Sequence, residues 1–293
     1  MATENQNQHG INKAAQTGFA KSAAYDQNRP RYAEESVQHL LSQTRVEGVK
    51  HARVLDLGAG TGLFTEALAK RPEEYEIVTV EPHEGMRGVL EAKKLQRVTT
   101  LDGKGDSIPA RDESFDAIFV AQAFHWFATS ETLREMHRVL KPHGAIGLLW
   151  NVEDYNAPKD HKAATEWEGK LHALIWTFDD NEPRFRHEKW HNVFEDQIKS
   201  TPLSVIAAAD PLFALPLGQL EQRWTTWITK EKLWDRYSTL SQIAVLEGED
   251  RARTYAKFSE AISHPDVETN EDGELPLHLG TYLYWTTKVP SGG

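Results

Sequence analysis

The chain has 293 residues, 39% hydrophobic content and a net charge of −11 at neutral pH, which allows a sizeable core in one large domain or in one domain with an inserted cap. No basic patch that could neutralise phosphates is visible, and no cysteine is present, so nucleic-acid substrates, disulfides and thiolate metal sites are not expected. No apolar run approaches the roughly 20 residues of a membrane span, and we expect a cytoplasmic protein without a membrane partner.

Residues 1–16, rich in Asn, Gln and Ala, are predicted to form a disordered tail and not a signal peptide. A helix is predicted over 33–43, and from there strands alternate with helices. The predicted strands are 53–57, 76–81, 97–101, 115–122 and 145–150, and the helices are 62–70, 84–95 and 130–140. This alternation indicates an α/β fold with a doubly wound, mostly parallel sheet. Ligands of such sheets bind outside the carboxyl ends of the strands, so the loops after the first four strands are expected around one crevice.

The pattern changes after about residue 151. Helices are predicted over 159–178, 187–199 and 218–263, with one strand within 203–214 and a last strand at 277–289. We interpret the helices as cover packed over the crevice.

A glycine-rich turn directly follows the first predicted strand, and Asp56 lies at the end of that strand, just before the glycines. Gly58, Gly60 and Gly62 lie two apart, and glycine lets the backbone turn tightly and approach a ligand. The dinucleotide fingerprint G-x-G-x-x-G needs its third glycine one position later, where this chain has Leu63. A carboxylate at Asp56 repels a diphosphate and attracts an ammonium or sulfonium group. The turn therefore favours a ligand with positive charge, and an NAD-dependent enzyme is the alternative.

Glu81 is the second element of this site, because it ends the second predicted strand beside the first loop. A carboxylate there can accept hydrogen bonds from both hydroxyls of a ribose. Pro82 prevents the strand from continuing, and Met86 on the next helix is placed to pack against an adenine face. The site prediction depends on Asp56, the glycines and Glu81 occurring together in one strand-helix-strand unit.

The chain contains, in this order, the segments VLDLGAGTG, TVEPHEGM, GDSIPARDESFDAIFVAQAFHWF and RVLKPHGAIGLLW. Over residues 18–151 it resembles the class I S-adenosylmethionine-dependent methyltransferases, in particular the small-molecule group that includes trans-aconitate methyltransferase and its fungal relatives. The resemblance implies a Rossmann-like methyltransferase fold with a seven-stranded sheet and helical cap insertions. It divides the chain into the tail, an N-terminal lid and S-adenosylmethionine-binding core over 17–151, and the rest of the sheet with a helical substrate cap over 152–293.

The implied activity is methyl transfer from S-adenosylmethionine to an oxygen, nitrogen or sulfur atom of a small organic molecule, which leaves S-adenosylhomocysteine. The resemblance also assigns cofactor contacts residue by residue. These are Tyr25 and Arg29 in the lid, Asp56, Gly58, Ala59, Gly60, Thr61 and Gly62 at the methionine part, Glu81 and Pro82 at the ribose, Met86, Gly105, Asp106 and Ser107 at the adenine, and Gln122 and Ala123 near the methyl group.

The segment that follows the fourth strand is expected to line the acceptor side. His125 is the candidate general base for a hydroxyl acceptor, or else a histidine that only hydrogen-bonds the loop. Trp126 stacks on substrate or shields the sulfonium by a cation–π contact, or else packs in the core. Arg184 and Arg186 either bind a substrate carboxylate or pair with nearby aspartates.

A competing motif is His187-Glu188-Lys189-Trp190-His191, which matches the H-E-x-x-H helix of zinc proteases. The longer form of that motif fails, because Phe194 and Gln197 stand where it needs Gly and His. We expect no metal site. A zinc protease and a non-catalytic S-adenosylmethionine-binding regulatory protein are the alternatives to the methyltransferase, and a small-molecule substrate is the only partner predicted.

Overall fold

The structure is a computed structural model that describes residues 29–178, 182–197, 211–264 and 267–290. The predicted tail and most of the predicted strand within 203–214 lie outside these residues. The strands are β1 (Arg53–Leu57), β2 (Glu76–Val80), β3 (Val98–Leu101), β4 (Phe115–Ala121), β5 (Leu140–Glu153), β6 (Gly218–Ile228) and β7 (Leu275–Thr287). The α-helices are α1 (Glu34–Gln43), α2 (Leu63–Ala69), α3 (Glu84–Ala92), α4 (Ser130–Val139), α5 (Glu166–Ile175), α6 (Asn192–Glu195), α7 (Lys230–Tyr237), α8 (Ser241–Ala244) and α9 (Gly248–Ile262).

The seven strands form one sheet in the order β3-β2-β1-β4-β5-β7-β6. The pairs β1–β2, β2–β3, β1–β4 and β4–β5 are parallel, which confirms the predicted doubly wound, mostly parallel sheet. The strand order reverses between β1 and β4, and this is the switch point at which such sheets bind ligands.

The chain divides into two compact units. Of the described residues, the first unit contains 31–150, 188–197, 211–221 and 282–290, and the second contains 29–30, 151–178, 182–187, 222–264 and 267–281. The sequence pattern groups 188–197, 211–221 and 282–290 with the second half of the chain, whereas the contacts group them with the first unit. Each unit has its own apolar core, built around Val54, Phe64 and Phe119 in the first and around Tyr155, Tyr237 and Phe258 in the second.

The predicted helix over 218–263 is wrong at its beginning, where the chain forms strand β6. Burial alternates along β6, with exposed residues at every second position from Gln219 to Trp227. That is the period of a strand, and the aromatic and β-branched content of Trp224–Ile228 favours a strand as well. Helices α7, α8 and α9 occupy the remainder of the predicted segment.

The first half of the chain follows the prediction closely, except that β5 is longer than the predicted strand 145–150. Phe115 pairs with Leu140 and Ala117 pairs with Ala145, so four residues of β5 lie opposite one residue of β4. Pro142, His143 and Gly144 lie in this bulge, with His143 at a φ of 63°. Among the described residues, no helix combines the length and the apolar character needed to cross a membrane.

Candidate functional site

The segment 56–62 contains the last two residues of β1 and the turn that leads to α2 in the first unit. Its three glycines all have positive φ, between 58° and 85°. A Cβ at Gly58 would lie 2.9 Å from the Cβ of Ala123, and one at Gly62 would lie 2.3 Å from a methyl group of Leu90. These glycines are therefore needed both for the left-handed backbone and for the close approach of neighbouring chain segments.

Asp56 is a fully buried carboxylate at the start of this turn. Its Oδ2 accepts a 2.6 Å hydrogen bond from the Thr65 hydroxyl, and its Oδ1 has no partner among the residues that the structure describes. Burial raises the pKa of Asp56 to about 7, with a smaller increase from the charge of Glu81 and an opposing decrease from Thr65. A cation placed at Oδ1 would favour the ionised form and satisfy the buried oxygen.

Glu81, directly after β2, brings a second buried carboxylate to the turn. One oxygen accepts a 2.9 Å hydrogen bond from the Gly60 amide, and the other accepts a 2.8 Å bond from the His83 amide. Burial raises the pKa of Glu81. Arg87 donates to the carbonyl oxygens of Glu81 and Pro82, at 2.8 and 2.9 Å, and so fixes the turn that presents the carboxylate. An ionised carboxylate has about four acceptor sites, which leaves Glu81 capacity for ligand hydroxyls.

The other predicted residues near this turn are close to it in space. The Met86 sulfur lies 3.7 Å from the position of a Cβ at Gly60, and Met86 is buried. The Ala59 amide donates to the Val80 carbonyl at 3.3 Å, which ties the turn to β2. The buried hydroxyl of Thr61 has no hydrogen-bond partner in the described part of the chain.

The predicted adenine segment, Gly105-Asp106-Ser107, forms a tight turn after β3. Backbone hydrogen bonds of 3.4 and 3.2 Å join Lys104 and Ser107 in both directions, so the Ser107 amide is already used within the turn. Gly105 is buried, and a Cβ there would lie 2.6 Å from the Phe127 ring. Asp106 is exposed, so its carboxylate is accessible to a ligand.

Gln122 and Ala123 follow the end of β4, as predicted. Gln122 has a φ of 60°, and its amide donates to the Leu149 carbonyl at 2.8 Å. A left-handed conformation is costly for a residue with a side chain, and backbone strain of this kind is enriched at functional sites. The same loop places the Phe127 ring 3.2 Å from the position of a Cβ at Gly58. The loops after β1, β2, β3 and β4 are thus joined through a few direct contacts within the first unit.

A model of the methyltransferase domain family matches residues 55–148 of the chain. An uncharacterized methyltransferase-like protein of Schizosaccharomyces pombe is 35% identical over 274 residues, which cover 92% of this chain and 94% of the relative. The chain belongs to the class I S-adenosylmethionine-dependent methyltransferases. An uncharacterized methyltransferase of Mycobacterium tuberculosis is 30% identical over 254 residues, 86% of this chain and 88% of the relative. The solved structure of the YcgJ protein of Bacillus subtilis has the same fold, with a TM-score of 0.53 at 20% identity, and the match covers 86% of this chain and 99% of that one.

This methyltransferase uses S-adenosylmethionine, which carries a cationic ammonium and a cationic sulfonium group. The first unit fits such a ligand, because Asp56 offers a buried acceptor without a partner in the described part of the chain and Glu81 adds negative charge nearby. The same two carboxylates disfavour a diphosphate. The NAD-dependent alternative is therefore wrong, and the family assignment makes the chain an enzyme.

His125 has a defined hydrogen-bond role in the methyltransferase. Its Nδ1 accepts a 3.0 Å hydrogen bond from the indole Nε1 of Trp150, and both side chains are buried. A neutral imidazole whose Nδ1 accepts carries its proton on Nε2. In this tautomer His125 has no lone pair left for a substrate proton, so the geometry favours the structural alternative over the predicted general base.

Aromatic rings support this arrangement. The ring of Trp190 lies 4.7 Å from that of Trp150 and 4.8 Å from that of Tyr284, measured between centroids. Trp126 is half-buried, and its ring centroid lies 5.0 Å from that of His125. Aromatic pairs at these distances add stability beyond their buried area, and they restrict the rotamers of Trp150.

Of the two predicted lid residues, the structure describes Arg29 and not Tyr25. Tyr25 lies outside the described residues, and Arg29 belongs to the second unit, where it donates to the Thr239 carbonyl at 3.4 Å. The role of both residues at the cofactor stays a prediction.

The HEKWH segment does not form the helix that a zinc protease needs. Glu188 has a φ of 55° and separates two short 3₁₀ turns, Phe185–His187 and Lys189–His191. The two histidines therefore do not occupy one face of a helix. Within the described ranges, no group of three His, Asp or Glu side chains could hold a metal ion.

Arg184 and Arg186 are buried in the second unit. Arg184 hydrogen-bonds the Ser241 hydroxyl, and Arg186 lies over the Trp176 ring, with its guanidinium carbon 5.4 Å from the centroid. Asp179 and Asp180, the aspartates proposed as partners, lie outside the described residues.

Three features of the site are not predicted from the sequence. These are the bond from Thr65 to Asp56, the left-handed backbone at Gln122, and the bond from Trp150 to His125. A signal for the first exists, since Thr65 is a polar residue on the apolar face of the predicted helix 62–70. The other two have no local signal.

Proposed function

We propose that this methyltransferase transfers the methyl group of S-adenosylmethionine to a small organic molecule, and that the acceptor is an anionic oxygen group such as a carboxylate. Asp56 would hold the cofactor ammonium and Glu81 the ribose hydroxyls. Met86 on helix α3 would pack against the adenine, and the loop containing Gln122 would approach the methyl end. When bound, the cofactor supplies an electrophilic methyl group whose sulfonium charge disperses as the methyl leaves. Exclusion of water by the buried loops favours that charge dispersal.

The observation that carries the choice of acceptor is a buried polar cluster in the second unit. It consists of Glu153, Tyr155, Arg236 and Tyr237, each at most 5% exposed. Arg236 Nε donates to Glu153 Oε1 at 2.7 Å, and the two tyrosine rings lie 5.3 Å apart between centroids. Burial raises the pKa of both tyrosines, so both hydroxyls stay protonated as donors.

Several atoms of the cluster have no hydrogen-bond partner within the described ranges. These are Arg236 Nη2, the hydroxyls of Tyr155 and Tyr237, and Glu153 Oε2. Three can donate and only one is restricted to accepting. Buried polar groups are almost always satisfied in proteins, so this excess of donors supports a bound ligand with several acceptor oxygens. A carboxylate meets that requirement, and a hydroxyl on the same molecule would satisfy Glu153.

A carboxylate acceptor also agrees with the state of His125. A carboxylate is ionised at neutral pH and needs no base before it attacks the methyl group, whereas a hydroxyl acceptor needs one. The tautomer imposed by Trp150 therefore supports an acceptor that is already anionic. The net charge of −11 disfavours nucleic acid as the acceptor.

The test is incubation of the enzyme with deuteromethyl-labelled S-adenosylmethionine and a pool of small metabolites, followed by mass spectrometry. We expect label in a small acid, released by mild base as a methyl ester. Label found only in amines, thiols or base-stable ethers would refute the acceptor class. Label confined to protein or nucleic acid would refute the small-molecule function.

A further inference from the structure

We propose that Thr65 is a positioning residue for the cofactor: its hydroxyl holds one oxygen of Asp56 and presents the other oxygen to the ligand's ammonium group. This inference rests on the proposed role of Asp56 as the ammonium acceptor. It assigns a function to a residue of α2 outside the glycine turn itself.

The geometry defines one free direction for the Asp56 carboxylate. Thr65 is fully buried, and its Oγ1 lies 2.6 Å from Asp56 Oδ2. A threonine in a helix has few χ1 rotamers, so this hydrogen bond limits rotation of the carboxylate about its last bond. Oδ1 then remains as the acceptor without a partner among the described residues.

The same hydrogen bond controls the charge of Asp56. Burial is the dominant influence and raises its pKa to about 7, while the hydroxyl and the backbone of Thr65 both lower it. Without the hydroxyl, the pKa of Asp56 would lie higher still, and the side chain would be largely protonated at neutral pH. A protonated Asp56 offers no charge to an ammonium group. Thr65 therefore determines both which oxygen binds the ligand and the pH at which that oxygen is charged.

Among the described residues, Glu81 is the titratable group whose charge influences Asp56. Glu81 raises the pKa of Asp56, and its own oxygens accept the Gly60 and His83 amides. These two bonds do not involve Thr65, so a Thr65 variant leaves the position of Glu81 unchanged. The effect of the variant can then be assigned to Asp56.

The experiment compares Thr65→Val, which removes the hydroxyl and keeps the shape, with Thr65→Ser, which keeps the hydroxyl. Isothermal titration with S-adenosylhomocysteine at pH 5.5 to 9, in two buffers of different ionisation enthalpy, gives the affinity and the protons released. In the unmodified enzyme, affinity should rise about tenfold per pH unit below the midpoint, because binding releases one proton. Thr65→Val should weaken binding roughly tenfold or more at pH 7 and move the midpoint to higher pH. Thr65→Ser should stay within about threefold.

Two control variants test whether the effect is specific to the Thr65 hydroxyl and whether Asp56 is the group that titrates. Thr79→Val removes another buried hydroxyl of the first unit, which donates to the Thr100 hydroxyl at 3.0 Å, and should leave the midpoint unchanged. Asp56→Asn should abolish the pH dependence. If it does not, the proposed role of Asp56 fails.

If Asp56→Asn behaves as expected but Thr65→Val has an unshifted midpoint, the role of Thr65 alone is refuted. A Thr65→Ser midpoint shifted as far as that of Thr65→Val would also refute it. Should Thr65→Val not fold, Thr65→Ala provides the same comparison.

Discussion

Removal of the two buried tyrosine hydroxyls in the second unit should stabilise the enzyme and impair its use of the acceptor. The hydroxyls of Tyr155 and Tyr237 have no partner within the described ranges, and an unsatisfied buried hydroxyl costs about 1–3 kcal/mol. Tyr155→Phe and Tyr237→Phe should each increase the free energy of unfolding by up to that amount. The corresponding rise in Tm is about 2–4 °C per kcal/mol for a chain of this size.

The same two variants should use the acceptor less well, although they are more stable. A hydroxyl that donates to an anionic oxygen contributes about 1.5–3 kcal/mol, so KM for the acceptor should rise roughly 10- to 150-fold in either variant. Affinity for S-adenosylhomocysteine should not change. The assay combines thermal unfolding without ligand, titration with S-adenosylhomocysteine, and steady-state kinetics with the acceptor found by mass spectrometry.

Tyr75→Phe is the matched control. Its hydroxyl is buried in the first unit and donates to the Val46 carbonyl at 2.9 Å. Loss of this satisfied bond should destabilise the enzyme by about 1 kcal/mol and leave KM unchanged. If the variants at Tyr155 and Tyr237 lose as much stability as Tyr75→Phe and keep a normal KM, both hydroxyls have partners in the folded chain and the acceptor site is elsewhere.

Four further outcomes follow from the first unit. The pKa of Asp56 is raised from 3.8 to about 7, so the folded state retains this proton longer than the unfolded state, and the free energy of unfolding should fall as pH rises from about 4 to about 7. This loss of stability amounts to up to about 4 kcal/mol above pH 7, and Asp56→Asn should remove it. Chemical denaturation at pH 5 and pH 8 measures the difference. Glu81→Gln should weaken S-adenosylhomocysteine binding by about 1–3 kcal/mol, and unchanged affinity in a titration would contradict the ribose assignment. Gly48→Ala, at a φ of 71° with open space around the new Cβ, should lower the free energy of unfolding by about 1–2 kcal/mol. Gly62→Ala should lower it more, because its Cβ meets a leucine methyl group at 2.3 Å. Equal losses in unfolding experiments would show that the contact relaxes freely. His125→Gln should reduce kcat less than tenfold over the whole pH range, since loss of a true general base would cost about 10²–10⁴-fold.

The parts of the fold that could be predicted are those encoded by neighbouring residues. The alternation up to β5 is readable because each buried parallel strand is a short apolar run followed by a turn and an amphipathic helix. Strand β6 could not be predicted, because the apolar residues around Trp224 are compatible with the period of a helix and with that of a strand. The pairing of β6 in the sheet, which depends on residues far along the chain, decides between the two.

The candidate site follows the same rule. Asp56 and Glu81 are predictable, since a carboxylate at the end of a parallel strand must lie at the ligand-binding edge of the sheet. The polar cluster is not, because Glu153 and Arg236 lie 83 positions apart and nothing local to either residue indicates that both are buried. A charged residue in the printed sequence suggests an exposed position by default, and only the folded chain overrides that default.

A comparison of two buried acids in the first unit shows why the charge of the cofactor matters. Burial acts to raise the pKa of Glu73, but hydrogen bonds from Arg71 and from the Gly48 amide outweigh it, and the net shift is downward. Among the described residues, only Thr65 lowers the pKa of Asp56, through its hydroxyl and its backbone, so burial dominates and the pKa rises to about 7. Within the described ranges, Glu73 thus has a cationic partner in Arg71, whereas the acid at the glycine turn has none. A buried carboxylate of that kind lowers the stability of the ligand-free protein, and a ligand that carries its own positive charge recovers the loss on binding. The stability that the ligand-free protein loses at Asp56 is therefore regained only with a cationic ligand, which favours the sulfonium cofactor over uncharged or anionic ligands.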